Sequence, residues 1–305
     1  MMRAAFSAFL YLFTFTLACN TARPQDLQLP NGKDSLRFAV IGDTGTGGSA
    51  QYQVGALMTK YHETFPFTFV TMMGDNIYGG ETPRDFVKKF EEPYGPLLKG
   101  GVKFYASLGN HDNPNQRFYE KFNMGGQKYY TFRPRLGVRF FALDSNYMDK
   151  TQIEWLEKEL AASGSEWKIA FFHHPLYSSG DTHGSAVELR NILEPIFLKH
   201  GVSLVLAGHE HFYERIKPQK GITYFTEGGS AKLRKGNIIK TDLTAKGFDT
   251  DNTFMLCEID QDKLFFQVIS RAGKTIDQGM IDRPGAEVKA AGAKTPDAKP
   301  ADAKQ

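Results

Sequence analysis

Residues 36–45 of the chain read LRFAVIGDTG, in which an apolar run, Leu36 to Ile41, passes directly into glycine and aspartate. A short apolar run bounded by a glycine turn is typical of a buried strand. Asp43 then stands where the predicted strand ends. In open α/β sheets, ligands bind beyond the carboxyl ends of the strands. The stretch therefore predicts a buried strand that carries an acidic side chain into a binding site.

Four more apolar runs end in polar blocks of the same kind. The predicted strands 67–73, 102–107, 168–172 and 203–207 lead into GDNIY (74–78), GNHD (109–112), HHP (173–175) and GHEH (208–211). Six of the eight histidines of the chain lie in or just after these blocks. Carboxylates, phenolate, imidazole and an amide carbonyl are all metal ligands. Together the five blocks predict a metal site.

Helical patterns alternate with these strands, at 51–61, 151–162 and 185–200, and three further strands are predicted at 222–226, 254–259 and 264–270. This alternation favours an α/β core. The formal net charge of +3 is too small to indicate a nucleic acid or an anionic membrane as partner. Cys257 lies in the apolar run 254–257, so we expect it in the core rather than in a reactive site.

The order of the five blocks resembles the metallophosphoesterase (calcineurin-like) superfamily. Tyr78, three residues after Asp75, resembles the tyrosine that distinguishes the purple acid phosphatase branch of this superfamily. That branch includes the tartrate-resistant acid phosphatases. The resemblance spans about residues 37–215. It implies a four-layer α/β/β/α sandwich of two mixed sheets flanked by helices, in a catalytic domain that we delimit at 35–283, and we expect a monomer.

The same resemblance implies two metal ions bridged by the carboxylate of Asp75. The remaining ligands are Asp43, Tyr78 and His211 at the first metal, and Asn110, His173 and His209 at the second. The first set is rich in anionic oxygen and suits Fe(III), whereas the second suits a divalent Zn, Fe or Mn ion.

Two histidines, His111 and His183, match positions that the family uses on the substrate side of the centre. His111 would stabilise phosphoryl oxygens or protonate the leaving group. The loop of His183 matches more loosely, which leaves a surface histidine as the alternative. We expect His174 to support a ligand rather than to be one. For Asp112 two interpretations remain open, orientation of His111 or a simple turn.

Two adjacent metal ions lower the pKa of a bound water and stabilise both the attacking and the leaving oxygen. We therefore expect hydrolysis of small phosphate esters by metal-bound hydroxide, with acid phosphatase activity on phosphomonoesters as the main expectation. A phosphodiesterase or nucleotide hydrolase with the same centre is the alternative.

Three other functions fit parts of the sequence. Asp43-Thr44-Gly45 is found in aspartic proteases, but that chemistry needs a second copy or a homodimer. Residues 45–50, GTGGSA, match a nucleotide-binding loop, although Asp43 would oppose a pyrophosphate. A non-catalytic scaffold with the same fold is the third, and its metal content would distinguish it from an enzyme.

Both ends of the chain differ from the middle. Residues 1–19 hold one early arginine followed by an uncharged apolar run, which is typical of an export signal, and a membrane anchor is the alternative. Residues 17–20, LACN, also resemble a bacterial lipobox, in which Cys19 would be lipidated. We expect residues 20–34 to be a linker. Residues 284–305 lack aromatic residues, and we expect them to be a disordered tail. We thus expect an exported protein, periplasmic or extracellular or an outer-membrane lipoprotein, that meets a membrane only through Cys19.

Overall fold

The structure is a computed structural model that describes residues 27–283. The predicted export signal, the predicted lipidation site at Cys19 and the predicted tail at 284–305 lie outside the described residues. Within 27–283, no helix is both long and apolar enough to cross a membrane.

The strands form two mixed sheets. The six-stranded sheet has the order β13-β12-β11-β1-β2-β3, in which β1, β2 and β3 are parallel. Its strands are β1 Leu36–Ile41, β2 Phe69–Met72, β3 Lys103–Ala106, β11 Thr253–Asp260, β12 Lys263–Ser270 and β13 Thr275–Asp282. The seven-stranded sheet has the order β10-β8-β9-β7-β6-β5-β4, with β5, β6, β7 and β9 parallel. Its strands are β4 Tyr130–Arg135, β5 Val138–Ala142, β6 Trp167–Phe171, β7 Leu204–Ala207, β8 Tyr213–Ile216, β9 Thr223–Glu227 and β10 Thr244–Phe248.

The helices connect the parallel strands. They are α1 Ser49–Thr64, α2 Pro83–Phe86, α3 Gly95–Lys99, α4 Lys150–Ala161 and α5 Val187–His200. A π-helical turn at Val87–Glu91 and 3-10 turns at Pro114–Phe118 and Glu120–Phe122 lie in the connections. Asp149 caps α4 by accepting the backbone N–H of Gln152 at 2.8 Å, so this helix begins where its sequence offers an acceptor.

Three separate apolar clusters show how the layers stack. One holds Val54 and Met58 of α1 against the outer face of the six-stranded sheet. Another holds Leu156 of α4 and Phe197 of α5 against the outer face of the seven-stranded sheet. The third lies between the sheets and contains residues of both, among them Phe140. The predicted α/β/β/α sandwich of two mixed sheets is therefore confirmed.

Aromatic rings join the two sheets. The Phe140 ring of β5 meets Phe38 of β1 edge-on, with centroids 5.2 Å apart, and Phe69 of β2 with centroids 5.4 Å apart. Phe38 and Phe69 stack on each other at 5.3 Å. Edge-to-face rings add to the free energy that burial of their apolar area already contributes. This contact holds the strands whose ends carry the polar blocks.

All eight strands and all three helices predicted from the sequence are present, with ends shifted by up to three residues. Five strands were not predicted. Three of these, β4, β10 and β13, are edge strands with partly exposed side chains, so they lack the apolar run that marks a buried strand. The fully buried β5, VRFFA, carries that signal nevertheless.

Part of the segment predicted as a linker packs on the six-stranded sheet. Leu29 is buried. The backbone N–H groups of Asn31 and Gly32 donate to the Glu258 carboxylate at 2.7 and 2.6 Å. Cys257 in β11 is a buried free cysteine, as expected. The boundary of the domain at residue 35 stays a prediction.

The ring cluster between the sheets predicts a stability effect. Phe140→Ala should lower the free energy of unfolding by about 3–5 kcal/mol, because it removes a fully buried ring and leaves a cavity. Urea denaturation followed by circular dichroism measures the change. Leu136→Ala is the control, since Leu136 is 91% exposed and its truncation should cost less than about 0.5 kcal/mol. Similar losses of unfolding free energy in both variants would show that the ring cluster adds little to the stability of the fold.

Candidate metal centre

The polar blocks of both sheets meet at one edge of the sandwich. Asp43 follows β1 in one sheet, and its Oδ2 accepts the backbone N–H of His209, which follows β7 in the other sheet, at 2.8 Å. His173 follows β6, and its Nδ1 lies 2.8 Å from the carbonyl oxygen of Met73, at the end of β2. The site therefore exists only where the two sheets are packed together.

The predicted ligands of the first metal lie within contact of one another. The Tyr78 hydroxyl is 3.1 Å from Asp43 Oδ1 and 3.3 Å from His211 Nε2. His211 Nε2 is in turn 3.4 Å from Asp43 Oδ1. A carboxylate, a phenol and an imidazole thus converge on one point from three separate loops.

The predicted ligands of the second metal surround His173 Nε2. Asn110 Oδ1 lies 2.9 Å from this nitrogen, His209 Nδ1 lies 3.1 Å away, and Asp75 Oδ1 lies 3.5 Å away. The carbonyl of Met73 can only accept a hydrogen bond, so Nδ1 of His173 carries the proton and Nε2 presents its lone pair to the site.

Asp75 connects the two sets. Ligand atoms of Asp43, Asp75 and His173 lie within 4.8 Å of one another, and so do those of His173, His174 and His209. His174, which the sequence suggested as a supporting residue, therefore also comes within reach of the site. Its Nδ1 lies 2.9 Å from the Ser145 hydroxyl.

The charges of the site are those of a cation-binding centre. Asp43 and Asp75 are almost completely buried, and within residues 27–283 neither forms an ion pair with a lysine or arginine. Burial, followed by the charge of Asp75, raises the pKa of Asp43 well above its usual range. Two buried carboxylates without a basic partner are costly, and bound cations would offset that cost. The residues present therefore fit two metal ions.

The imidazoles of the site favour the neutral form that binds metals. Burial, followed by the neighbouring His173, lowers the pKa of His209 to about 2. Burial, followed by the positive charges of Arg234 and Lys232, lowers the pKa of His211 to about 4. Both rings are therefore uncharged near neutral pH and keep a lone pair for coordination.

Three of the predicted ligands have strained backbones. Asp43, Asp75 and His209 have φ angles of 54°, 51° and 69°, in the left-handed region that non-glycine residues seldom adopt. Such strain persists where the surrounding structure holds it, and it concentrates at functional sites.

Close approach of the loops explains the glycine that precedes a polar block. A Cβ on Gly109 would lie 2.2 Å from Asp75 Oδ1 and 2.3 Å from the Asp75 backbone nitrogen. Gly45 is equally restricted, since a Cβ there would lie 2.0 Å from the Asn76 carbonyl oxygen. Packing against the Asp75–Tyr78 loop thus accounts for the glycine that opens the nucleotide-loop match at 45–50.

The two candidate catalytic histidines both lie beside the predicted ligands. The rings of His111 and Tyr78 have centroids 5.1 Å apart, and the His111 backbone N–H donates to Asp75 Oδ1 at 3.0 Å. The rings of His183 and His209 have centroids 4.2 Å apart. Both side chains belong to exposed residues, so they border the site from the solvent side.

Sequence reasoning missed Glu210, which stands between the two histidines of the last block. It is fully buried, and its Oε1 accepts the backbone N–H groups of His183 at 3.1 Å and Gly184 at 2.7 Å. Glu210 therefore holds the loop that carries His183 against the predicted ligands. An acid between two ligand histidines was the available signal, but its partners are distant in sequence.

Asp112 fastens two loops and does not orient the His111 ring. Its carboxylate accepts the backbone N–H groups of Gly109 at 2.8 Å, Asn76 at 3.1 Å and Ile77 at 3.1 Å. Of the two interpretations left open, the structure favours the turn. The carboxylate takes up N–H groups of the second and third blocks that would otherwise be buried without a partner.

Two basic residues beyond the predicted blocks border the first donor set. Lys232 Nζ lies 4.4 Å from the centroid of the Tyr78 ring. Arg234 Nη1 lies 3.6 Å from Glu210 Oε2. Their positive charges give this side of the centre an attraction for anions.

The comparisons with known proteins agree with this fold. The model of the calcineurin-like phosphoesterase family matches residues 36–213. Among curated proteins, the chain is 28% identical to purple acid phosphatase 17 of Arabidopsis thaliana over an alignment 280 residues long, which covers 80% of this chain and 82% of that protein. It is 26% identical to the mouse (Mus musculus) tartrate-resistant acid phosphatase type 5, over 64% of this chain and 72% of that protein.

Solved structures share the architecture. A purple acid phosphatase from yellow lupin (Lupinus luteus) seeds superposes with a TM-score of 0.67 at 19% identity, covering 90% of this chain and 58% of that one. The anchor of the inner membrane complex of Plasmodium superposes with a TM-score of 0.72 at 20% identity, covering 82% and 89% of the two chains. At these identities the likeness concerns the fold alone.

Fold, donor sets and family match together define a metal-dependent phosphoesterase with a dinuclear metal centre. The chain belongs to the calcineurin-like phosphoesterase family.

The close approach at Gly109 predicts a metal-binding defect. Gly109→Ala should displace the Asp75 carboxylate, because the new methyl group would overlap it, and the bound metal should fall clearly below two ions per chain. Metal analysis of the purified protein measures this. Gly95→Ala is the control, since a Cβ there meets no atom within 4 Å. Full metal content in Gly109→Ala would contradict the proposed position of Asp75.

The hydrogen bonds of Glu210 predict a local loosening. Glu210→Ala leaves the N–H groups of His183 and Gly184 without their acceptor, and a hydrogen bond to a charged group is worth about 1.5–3 kcal/mol. Amide exchange in residues 180–184 should therefore accelerate about tenfold or more. Glu154→Ala on the exposed face of α4 should leave it unchanged. Unaltered exchange in Glu210→Ala would show that other contacts hold the loop.

Proposed function

We propose that the protein is an acid phosphatase that hydrolyses phosphomonoesters. The observation that carries this proposal is the pair of donor sets joined by Asp75, in which Asp43, Asp75 and His173 approach within 4.8 Å. One set is rich in anionic oxygen and the other in imidazole nitrogen, and the likeness to purple and tartrate-resistant acid phosphatases points the same way.

The ligands that we propose for the two metals follow these sets. Asp43, Tyr78 and His211 would hold the first metal, and Asn110, His173 and His209 the second, with Asp75 shared. A phenolate and carboxylates favour Fe(III) at the first position, and imidazoles with an amide oxygen favour a divalent Zn, Fe or Mn ion at the second. The metals when bound supply an activated water and neutralise charge on the phosphoryl oxygens.

The remaining side chains act on the substrate. His111 and His183 border the site on its exposed side, where an imidazole N–H would donate to a phosphoryl oxygen or to the leaving oxygen. Lys232 and Arg234 add positive charge beside the Tyr78 and His211 ligands and would attract the phosphate dianion. Glu210 keeps His183 in place through its backbone.

We also propose where the protein acts. The apolar run in residues 1–19 supports export, with or without lipidation of Cys19. The catalytic domain, residues 35–283, would then act as a monomer. Charged phosphate esters outside the cytoplasm would be its substrates. Loss of the gene should then slow growth on organic phosphate, and unchanged growth would contradict this role.

The proposal is tested on the chain expressed with iron and zinc supplied. Hydrolysis of a nitrophenyl phosphomonoester is compared with that of the matching diester. Wild type should favour the monoester, and Asp75→Ala should lower kcat/KM about 10³-fold or more, since it removes the shared ligand. Asp34→Ala, an exposed aspartate before β1, should retain the wild-type rate.

The outcomes separate the alternatives. Preference for the diester, with the same loss in Asp75→Ala, would identify a phosphodiesterase. A protein that binds metal without hydrolysing either ester would have another substrate. A protein that binds no metal and hydrolyses neither ester would be a non-catalytic scaffold.

A further inference from the structure

A cleft of about 680 Å³ opens directly beside the second donor set. Its lining includes Asn110 and His174, the turn after β5 at residues 144–147, and the first turn of α5 at residues 187–189. Clefts of about 300–1,000 Å³ accommodate small organic molecules. The space therefore exceeds what a phosphate group needs, and it lies where the organic part of a bound ester could extend.

The walls of the cleft are partly apolar. Side chains of Leu108, Pro114, Val187 and Leu189 line it, together with Tyr147, whose side chain is largely exposed. An exposed aromatic ring and an exposed valine at one cleft form a surface on which a carbon skeleton or a ring can pack.

Three of the polar residues that line the cleft are acidic. Asp112, Asp144 and Glu188 line it, and no lysine or arginine does so in the part of the chain that the structure describes. Asp112 is occupied by three backbone N–H groups. Burial raises the pKa of the Asp144 carboxyl, while hydrogen bonds from Asn146 and the positive charge of Lys128 oppose that rise. Glu188 lies in the first turn of α5, where the helix dipole favours a carboxylate.

The two sides of the centre thus differ in the charged residues that line them. Lys232 and Arg234 stand beside the first donor set, and the carboxylates of Asp144 and Glu188 stand in the cleft beside the second. A phosphate is attracted to the centre, whereas a second anionic group on the same molecule would enter a cleft of like charge.

We infer that this cleft binds the organic part of the substrate, and that it selects phosphomonoesters whose organic part is apolar with an amine or other cationic end, against those that carry a second anion. This inference rests on the proposed phosphatase function. It assigns the discrimination between substrates by charge to Glu188 and Asp144.

Three aryl phosphates of similar size test the inference: para-(aminomethyl)phenyl, para-(hydroxymethyl)phenyl and para-(carboxymethyl)phenyl phosphate. The methylene group separates the charged end from the ester oxygen, so the leaving-group pKa values stay similar. At low salt, kcat/KM should fall in the order amine, hydroxyl, carboxylate, by about threefold to tenfold per step. Glu188→Gln should narrow these ratios, and Glu188→Lys should reverse the order of amine and carboxylate.

The control is Glu63→Gln, an exposed acid in the last turn of α1, which should leave all three ratios at their wild-type values. Equal kcat/KM for the three esters, or ratios that Glu188→Lys does not alter, would overturn the inference while leaving the phosphatase function intact.

A binding measurement keeps the two proposals separate. Affinities of the matching para-substituted benzylphosphonates, which cannot be hydrolysed, are measured by calorimetry on the metal-loaded protein. The same order of affinities, with the same response to Glu188→Lys, would support the cleft even in a protein without phosphatase activity. Affinities that ignore the charged end would refute it in either case.

Discussion

Within residues 27–283, Asp43 and Asp75 are held together out of water, and neither forms an ion pair with a lysine or arginine. Burying even one unpaired carboxylate is costly, so the fold must supply strong constraints to keep two of them together. Both residues have left-handed backbone conformations, and their carboxylate oxygens accept hydrogen bonds from backbone N–H groups. The same imbalance makes the site a binding place for cations.

The constraint reaches the packing of the whole sandwich. The ligands come from the ends of β1, β2 and β3 in one sheet and of β6 and β7 in the other, so the aromatic cluster between the sheets fixes their distances. Glycines such as Gly109 let the loops approach to the point where a methyl group would collide with Asp75. Asp112 and Glu210 then fasten these loops through backbone N–H groups.

Electrostatics divides the surroundings of the centre. Basic residues stand beside the donor set of Asp43, Tyr78 and His211, whereas carboxylates line the cleft beside Asn110 and His174. A centre that only needed to attract phosphate would gain from positive charge on both sides. The acidic cleft is therefore a feature of substrate choice, separate from the chemistry at the metals.

The buried strands that carry the polar blocks, the blocks themselves and their order could all be predicted from the sequence. These are local properties, because a buried strand needs an apolar run and a sharp turn needs glycine. Edge strands such as β13 were not predicted, because their side chains are partly exposed and the sequence therefore lacks an apolar run. The tertiary structure was needed to show that Glu210 holds the His183 loop, that Asp112 joins two blocks, and that Glu188 lines the same cleft as Asn110. The first two features depend on contacts between residues 26 or more positions apart, and the third depends on the shape of a space between elements. A local sequence pattern predicts neither such contacts nor such a shape.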